Sequence, residues 1–272
     1  MSGAVFNYSG YAGKYLRVNL TSGTVADCFL TNALAEQFIG GVGIAARLLY
    51  GEIRPGIDPF GAENKLLFFT GPLEGTMIPT ASRIGLYGKS PLTHSFFYSS
   101  AGGYFGPELK FAGYDGIMFE GVSSNPVYLF IDNGIAELRD ATRFWGMDTN
   151  RVQQEIAEDI GSDEVRIAAI GPAAERLVRF ACVISGCRAL GRGGLGAVMG
   201  SKRLKAVAVR GYGSVTVPNV RRMRSLLDEL FARFSAHPAT SEILPRYGTP
   251  VLVNANNELG LLGYRNWQEE YY

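Results

Sequence analysis

Two stretches of this chain combine arginines with glycine-rich runs and contain no carboxylate. The longer stretch, 176–227, has eleven Lys and Arg residues and centres on the run CRALGRGGLGAVMGSK at 187–202. The shorter, 75–107, contains Arg83, Lys89 and the run AGGYFG. Glycine loops expose backbone N–H groups and arginines add forked donors, a combination that suits phosphate oxygens. The pattern predicts a polyanionic ligand held at two related places.

Ordinary tight turns, with arginines paired to acids elsewhere in the chain, are the simpler explanation. Turns account for the glycines but not for the long absence of carboxylates. A like charge beside a bound dianion in a low dielectric costs several kcal/mol, so a phosphate site excludes acids. We therefore favour the ligand hypothesis.

Two segments match or nearly match known phosphate-binding motifs, but we favour neither motif. Residues 191–196 match GxGxxG, but the next predicted strand begins near Lys205, too soon for a crossover helix, and no acidic residue follows ~20 residues on. Residues 83–90 nearly form a P-loop. Arg83 replaces its first glycine, however, and Pro91 follows where helix N–H donors are needed.

Metal-ligating and nucleophilic side chains are scarce. The chain has three cysteines and two histidines, whereas an iron–sulfur cluster usually takes four thiolates. We interpret Cys182 and Cys187 as small buried thiols, and His94 as a loop histidine with its bonding satisfied. The sparse cysteines are typical of a reducing compartment.

Composition limits the possible classes of protein. With 272 residues, 47% of them hydrophobic, the chain can form one large or two small domains. Lys plus Arg number 26 and Asp plus Glu 25, and this balance argues against a nucleic-acid partner. No apolar run approaches the ~20 residues of a membrane span, and the first eight residues do not resemble a signal peptide. We expect a cytoplasmic protein without a membrane partner.

The periodicity predicts alternating strands and helices of an α+β fold. A hairpin is expected over 14–30, two short helices or a kinked helix over 33–50, a helix over 150–160 with Asn150 as N-cap, and an amphipathic helix over 219–236. Further strands are predicted at 65–70, 83–87, 95–99, 116–120, 127–132, 165–170, 180–184 and 205–210.

Two blocks of the chain follow the same order of features. Each has an apolar strand ending in Gly-Pro (71–72 and 171–172), an arginine-bearing stretch and a Gly-Gly pair (102–103 and 193–194). Each then has a short helical piece and a strand closed by glycine. This pattern predicts an internal pseudo-twofold repeat whose two loops face one ligand.

At these residues the chain resembles the N-terminal domain of the tungsten-containing aldehyde ferredoxin oxidoreductases. The similarity covers nearly the whole chain, and its most specific parts are the GGYFG and GRGG runs. The matching segments are YLRVNL (15–20), NKL (64–66), GPL (71–73), KSPLT (89–93), GGYFG (102–106), LKFAGYD (109–115), GRGGLGAVMGSK (191–202), LKAVAV (204–209), YGT (247–249) and LVN (252–254).

The resemblance implies a β-sheet base with flanking helices that seats two metallopterins. The pterins hold tungsten, and a magnesium ion bridges their phosphates. Residues 1–212 would be this pterin-seating domain, and 213–272 the truncated start of a following helical domain. By the same resemblance Arg83 contacts pterin near an iron–sulfur cluster, and Ser100 and Ala189 bind magnesium through backbone carbonyls. The pterin phosphates would be contacted by Gly102, Arg188, Gly191 and Arg192.

The implied activity is oxidation of aldehydes to carboxylic acids, with electrons passing through a 4Fe-4S cluster to ferredoxin or an electron-transfer subunit. The family's CxxCxxxC segment and acid/base residues lie beyond Tyr272. A cluster is therefore expected only with that region, and this chain alone is expected to be inactive.

Several alternatives stay open. The chain could be a truncated product, a piece of a split enzyme with a complementing C-terminal chain, or an incomplete sequence, and it could form a homo-oligomer. It could belong to a tungsten enzyme that reduces an aromatic acyl thioester, or be a non-catalytic pterin-binding module. The substrate and the choice of tungsten over molybdenum are also open.

Overall fold

Two six-stranded mixed sheets and nine α-helices make up the part of the chain, residues 6–271, that the computed structural model describes. Residues 1–5, on which the signal-peptide prediction partly rests, lie outside it. The strands are β1 Lys14–Asn19, β2 Thr24–Phe29, β3 Leu66–Phe69, β4 Arg83–Lys89, β5 Phe96–Gly102, β6 Gly116–Glu120, β7 Val127–Asp132, β8 Ile135–Asp140, β9 Arg166–Ala169, β10 Val183–Ser185, β11 Arg188–Leu190 and β12 Leu204–Arg210. The α-helices are α1 Asn32–Phe38, α2 Gly41–Glu52, α3 Phe105–Phe111, α4 Thr149–Ile160, α5 Pro172–Glu175, α6 Leu195–Ser201, α7 Val220–Ala236, α8 Leu244–Tyr247 and α9 Val253–Glu258.

The chain divides into two compact units, one up to Pro218 and one from Asn219. The second unit is helical. It begins with α7, which Asn219 caps by accepting the Arg222 N–H. Leu227 is the buried residue of α7. The predicted helix over 219–236 is confirmed.

The two sheets of the first unit have the same topology. The first has the order β2-β1-β6-β3-β4-β5, and the second β11-β10-β9-β12-β7-β8. Reading the second order backwards and replacing β7–β12 by β1–β6 reproduces the first. In both, the first and last strands of the half are parallel neighbours, while the other pairs are antiparallel. The predicted internal repeat is therefore present as a topological one.

Backbone hydrogen bonds give the register of the repeat. The Thr70 N–H donates to the Asp115 carbonyl at 2.9 Å, and the Ile170 N–H donates to the Lys205 carbonyl at 3.1 Å. Each bond joins the residue between a strand and its following Gly-Pro pair to a residue at the start of the last strand of that half, Asp115 just before β6 and Lys205 as the second residue of β12. Thr70 therefore corresponds to Ile170, and Asp115 to Lys205.

The apolar core lies in three layers. Helices α3 and α6 contribute to one buried cluster with the inner faces of both sheets, for example through Leu109 and Val198. Ile44 and Leu49 of α2 cover the outer face of the first sheet. Helix α4 covers the outer face of the second sheet with an equivalent pair of apolar residues, Val152 and Ile156.

Several local predictions are confirmed and others need correction. The 14–30 hairpin and the two helices within 33–50 are present. Asn150 is not the N-cap of α4. Asp148 is, because its carboxylate accepts the Asn150 and Arg151 N–H groups. Strand β8 was not predicted, and the run after Cys187 is not all loop, since it contains β11.

The topology also excludes the two nucleotide motifs that were not favoured. The GxGxxG run joins β11 to β12, which are separated by β10 and β9 in the sheet and run antiparallel to each other, whereas a dinucleotide fold needs a parallel crossover there. The P-loop-like segment is strand β4, hydrogen-bonded on both sides. Within residues 6–271 no helix has both the length and the apolar character needed to cross a bilayer.

Candidate functional site

The candidate site lies where the edge strands β5 and β11 of the two sheets come together. Ser100 of β5 lies opposite Gly85, and Ala189 of β11 lies opposite Ile184. Gly85 and Ile184 in turn pair with the residues just before Thr70 and Ile170. Ser100 and Ala189, the two proposed magnesium ligands, therefore occupy the same position in the two halves.

The same register relates other predicted site residues. Two positions beyond Ser100 and Ala189 lie Gly102 and Gly191, so the proposed glycine contacts also correspond. Arg83 lies opposite Gly102 on β4. The residue that corresponds to Arg83 in the second half is Cys182, one position before Val183, which pairs with Leu190.

Reciprocal contacts link the two halves. The Arg192 N–H donates to the Ser99 Oγ at 3.1 Å. The Cγ of Arg188 lies 3.3 Å from the position that a Cβ on Gly103 would occupy. By register, Ser99 corresponds to Arg188 and Gly103 to Arg192. The two contacts differ in kind, one a hydrogen bond and the other a close approach, but they join the same two positions with the halves exchanged, as expected if a pseudo-twofold axis passes between β5 and β11.

The arginines of this region are not paired with acids. Arg83, Arg188 and Arg192 are exposed, and none forms an ion pair with a carboxylate of residues 6–271. Arg83 Nη1 donates instead to the Ser100 Oγ at 2.9 Å. Elsewhere in this unit Arg17 bonds two glutamates. The explanation by ordinary turns with paired arginines therefore does not describe this site, whose guanidinium groups have no carboxylate partner among residues 6–271.

Some glycines here are needed by the fold and others are not. Gly194 has φ +67° and a Cβ on it would lie 1.7 Å from the Arg179 carbonyl oxygen, so this position accepts only glycine. A Cβ on Gly102 or Gly191 would meet its nearest atoms at 3.4 and 3.5 Å, which is ordinary contact. Packing therefore does not explain the last two. Their lack of a side chain leaves the strand ends open to close approach by a ligand, as a phosphate cradle requires.

Glu74 is a buried carboxyl group behind this surface that the sequence reasoning missed. Its Oε2 accepts the Arg83 N–H at 3.1 Å, and its Oε1 has no hydrogen-bond partner. Burial raises the pKa of Glu74 to about 7, although the Arg83 N–H and the charge of Lys110 act in the opposite direction. A Cβ on Gly106 would lie 2.1 Å from Oε1, so the carboxyl group fills the space that this glycine leaves. The available signal was its place as the last acid before the acid-free stretch 75–107.

The residues of the candidate site are better suited to bind magnesium through backbone carbonyl oxygens than through a cluster of side-chain ligands. No group of three or more His, Cys, Asp or Glu that could hold a metal occurs within residues 6–271. Ser100 and Ala189 lie on edge strands, whose outer rim carries backbone groups outside the ladder. Carbonyl oxygens are suitable ligands for this hard cation. The free arginines and open glycines fit the phosphates that such an ion would bridge.

The cysteine prediction is corrected in part. Cys182 is half-buried, with its Sγ 3.7 Å from the Gly191 carbonyl oxygen. Cys187 is exposed rather than buried, because it lies in the two-residue turn that joins β10 and β11. His94 is exposed and lies outside the site.

The structure thus brings the predicted residues together along one rim. Six come from the edge strands and the residues that follow them, and the seventh is the first residue of β4. They are Arg83, Ser100, Gly102, Arg188, Ala189, Gly191 and Arg192.

Comparison with known proteins places this geometry in a family. Residues 15–211 match the family described as aldehyde ferredoxin oxidoreductase, N-terminal domain. The tungsten-containing aldehyde ferredoxin oxidoreductase of Pyrococcus abyssi (strain GE5 / Orsay) is 46% identical over 260 residues, which are 95% of this chain and 43% of that protein. The aliphatic sulfonate oxidoreductase, WOR-like subunit, of Pyrococcus furiosus is 35% identical over 280 residues, covering 96% and 44%.

A solved structure agrees with these relatives. The active-site complex BamBC of benzoyl coenzyme A reductase, determined with 1,5-dienoyl-CoA, includes a chain that superposes with a TM-score of 0.82 and 36% identity, covering 84% of this chain and 35% of that one. The chain therefore spans less than half the length of the relatives it matches. With the family matched over nearly all of its two-sheet unit, this chain belongs to the aldehyde ferredoxin oxidoreductase family and corresponds to its N-terminal domain.

Proposed function

We propose that this chain seats a tungsten bis-pterin cofactor by its phosphate ends. The observation that carries the proposal is the repeated edge: two corresponding glycines, Gly102 and Gly191, that packing does not require, beside three arginines without acidic partners. Relatives described as tungsten-containing support the choice of cofactor.

We call the seven residues of the candidate site (Arg83, Ser100, Gly102, Arg188, Ala189, Gly191 and Arg192) the seat. Each of them has a specific role in this proposal. The guanidinium groups of Arg188 and Arg192 pair with phosphate oxygens, and Gly102 and Gly191 let the phosphates approach the backbone. Arg83, held by Ser100, contacts the pterin of the first half. The carbonyl oxygens of Ser100 and Ala189 would hold a magnesium ion beside the pterin phosphates.

In the whole protein we propose oxidation of an aldehyde to a carboxylate. The overall change is RCHO + H₂O → RCOO⁻ + 3H⁺ + 2e⁻, and the cofactor, when bound, supplies the two-electron redox chemistry. A 4Fe-4S cluster held by other polypeptide would supply electron transfer to ferredoxin or an electron-transfer subunit. This chain contributes orientation: its paired edges hold the cofactor from one side.

We propose that the other functional parts of the enzyme lie in polypeptide outside residues 6–271. Cluster ligands and substrate-binding groups would come from a continuing or complementing C-terminal chain, and residues 213–272 would begin a helical domain of that part. A cytoplasmic location and a homo-oligomeric state belong to the same proposal.

A second candidate is a subunit of a tungsten enzyme that reduces an aromatic acyl thioester. Similarity to a chain of the benzoyl coenzyme A reductase complex favours it. A third is a non-catalytic pterin-binding module. Assay of the longer protein with aldehydes and with aryl thioesters separates the first two, and bound pterin without either activity identifies the third.

Cofactor content tests the proposal directly. The protein containing this chain, produced with tungstate in a host that makes the pterin, should carry tungsten and two pterins per chain and reduce a dye with aldehyde. Arg188→Glu should abolish cofactor content. Arg151→Glu, an exposed change on α4, should leave it unchanged. Wild-type protein without pterin would contradict the proposal.

A further inference from the structure

A second cavity lies on the outer face of the first sheet, away from the seat. It has a volume of about 940 Å³ and is formed by α2, the loop after it and the ends of β4 and β5. Lys89, which lines it, is six residues from Arg83 along β4, about 20 Å at ~3.4 Å per residue. The cavity is thus separate from the arginines and glycines of the seat.

The floor of the cavity is apolar. Phe38, Leu49, Ile53 and Phe96 line it, and the ring of Phe96 stacks on Tyr87 at a centroid distance of 6.5 Å. Pockets for small molecules commonly have volumes of about 300–1,000 Å³ and mostly apolar walls. The size and the aromatic wall suit a ligand with an aromatic or alkyl body.

The rim of the cavity is cationic. Arg47 and Arg54 are exposed, line the cavity and form no ion pair with a carboxylate of residues 6–271. The neighbouring Glu52 does not neutralise them, because it bonds Arg17 and Lys65 instead. The cavity lining contains no acidic residue and also includes His94 and Lys89, whose Nζ donates to the Ile57 carbonyl at 2.6 Å.

We propose that this cavity binds an organic anion, a carboxylate on an apolar aromatic or alkyl body. A neutral apolar ligand would leave the two guanidinium groups without partners. A small inorganic anion would leave the apolar floor exposed to water. Only a ligand with both parts uses the whole lining, and it is held by charge at the rim and by contact at the floor.

Matched probes test the charge requirement. Isothermal titration calorimetry of this chain should show 4-phenylbutyrate binding in a one-to-one complex, and 4-phenyl-1-butanol, which has the same body, binding at least tenfold more weakly. The double variant Arg47→Gln/Arg54→Gln should weaken binding of the acid at least tenfold and leave that of the alcohol unchanged. Phe96→Ala should weaken both.

Controls separate this site from the seat and from folding. Arg151→Gln should bind the acid like the wild type, and circular dichroism should show that each variant is folded. Because the seat arginines are untouched, pterin content of the longer protein should not change in the double variant, so failure of the two proposals can be told apart.

Four results would overturn the inference. Equal affinity for acid and alcohol, or full affinity in the double variant, contradicts an anion site. Absence of saturable binding to this chain contradicts a ligand site altogether. Binding to this chain but not to the longer protein would mean that further polypeptide covers the cavity.

Discussion

The two halves of the first unit place a buried ion pair at the same point and give it opposite polarity. In the first half Asp115 pairs with Lys110 of α3, and in the second Lys205 pairs with Glu175 of α5. Asp115 and Lys205 correspond by register, and both pairs are almost fully buried. A buried ion pair, which we call a tie, therefore occurs at this position in both halves with the charges reversed, and the feature that the two halves share is the backbone carbonyl.

In the seat, too, the two halves share backbone features while their side chains differ. Positions where the proposed contact is a backbone group correspond closely, as with Ser100 and Ala189 or Gly102 and Gly191. Positions that act through side chains do not, since Arg83 corresponds to Cys182. A repeat kept through the backbone leaves its side chains free to diverge, so sequence identity between the halves is low while the topology is the same.

The largest effect should come from breaking either buried tie. Asp115→Ala and Lys205→Ala should each lower the free energy of unfolding by about 3–5 kcal/mol, since each leaves a buried charge unpaired. Asp115→Ala should be the more severe, because Asp115 also accepts the Ala12 and Gly13 N–H groups. Urea unfolding measures both.

The control for the buried ties is a surface pair. Lys14→Ala removes the exposed partner of Asp27 and should cost less than about 1 kcal/mol. If Asp115→Ala and Lys205→Ala cost no more than this, the ties are not required by the fold.

The next largest effect on stability should come from Glu74. Glu74 corresponds to Ala174, because the backbone N–H of each residue donates to the carbonyl of the glycine in a Gly-Pro pair. Because the pKa of Glu74 is raised to about 7, the folded state binds more protons than the unfolded state between pH ~4.5 and ~7. Stability should fall as pH rises through this window. Relative to wild type, Glu74→Gln should gain up to ~3 kcal/mol between pH 5 and pH 8.

Urea unfolding at several pH values tests this prediction. Glu108→Gln, which removes another carboxyl group and leaves Glu74 in place, is the control variant. A stability difference between wild type and Glu74→Gln that is independent of pH would show that folding does not raise the pKa of Glu74.

A smaller effect should distinguish the corresponding positions Arg83 and Cys182. Arg83→Gln should weaken retention of the pterin cofactor about tenfold, because a charge-assisted hydrogen bond contributes about 1.5–3 kcal/mol. Cys182→Ser should leave retention unchanged. Pterin fluorescence of the longer protein after dialysis measures both, and equal losses would contradict the asymmetry of the seat.

The smallest effect is expected for Cys187→Ser. The residue is exposed in the turn between β10 and β11, so its replacement should change neither stability nor cofactor content. Urea unfolding and pterin fluorescence provide the measurements. A loss of pterin with unchanged stability would give this thiol a role in the seat.

Much of the fold could be predicted because its signals are local. The hairpin at β1–β2 and the break between α1 and α2 follow from turn residues and glycines that act over a few positions. Strand β11 was not predicted because a strand of only three residues shows no measurable hydrophobic period. The N-cap of α4 was predicted two residues too late. Asp148 and Asn150 are both suitable N-cap residues, and the residue at which the helix begins determines which of them caps it.

The site could be predicted only in part. The glycine and arginine runs indicated phosphate binding, and the resemblance named the residues. The pairing of Arg83 with Cys182 across the repeat depends on strand register, which no window of sequence contains. Glu74 was missed because its burial results from contacts with residues nine and more positions away.

By itself the sequence determined the segregation of charge, the local elements, the weak repeat and the resemblance to a family, because these depend on residue types and short spacings. Tertiary structure decided which arginines lack acidic partners and which residues of the two halves correspond. It also revealed the cavity beside α2. These properties arise from hydrogen-bond register and burial between distant segments, and they exist only once the two sheets have closed around α3 and α6.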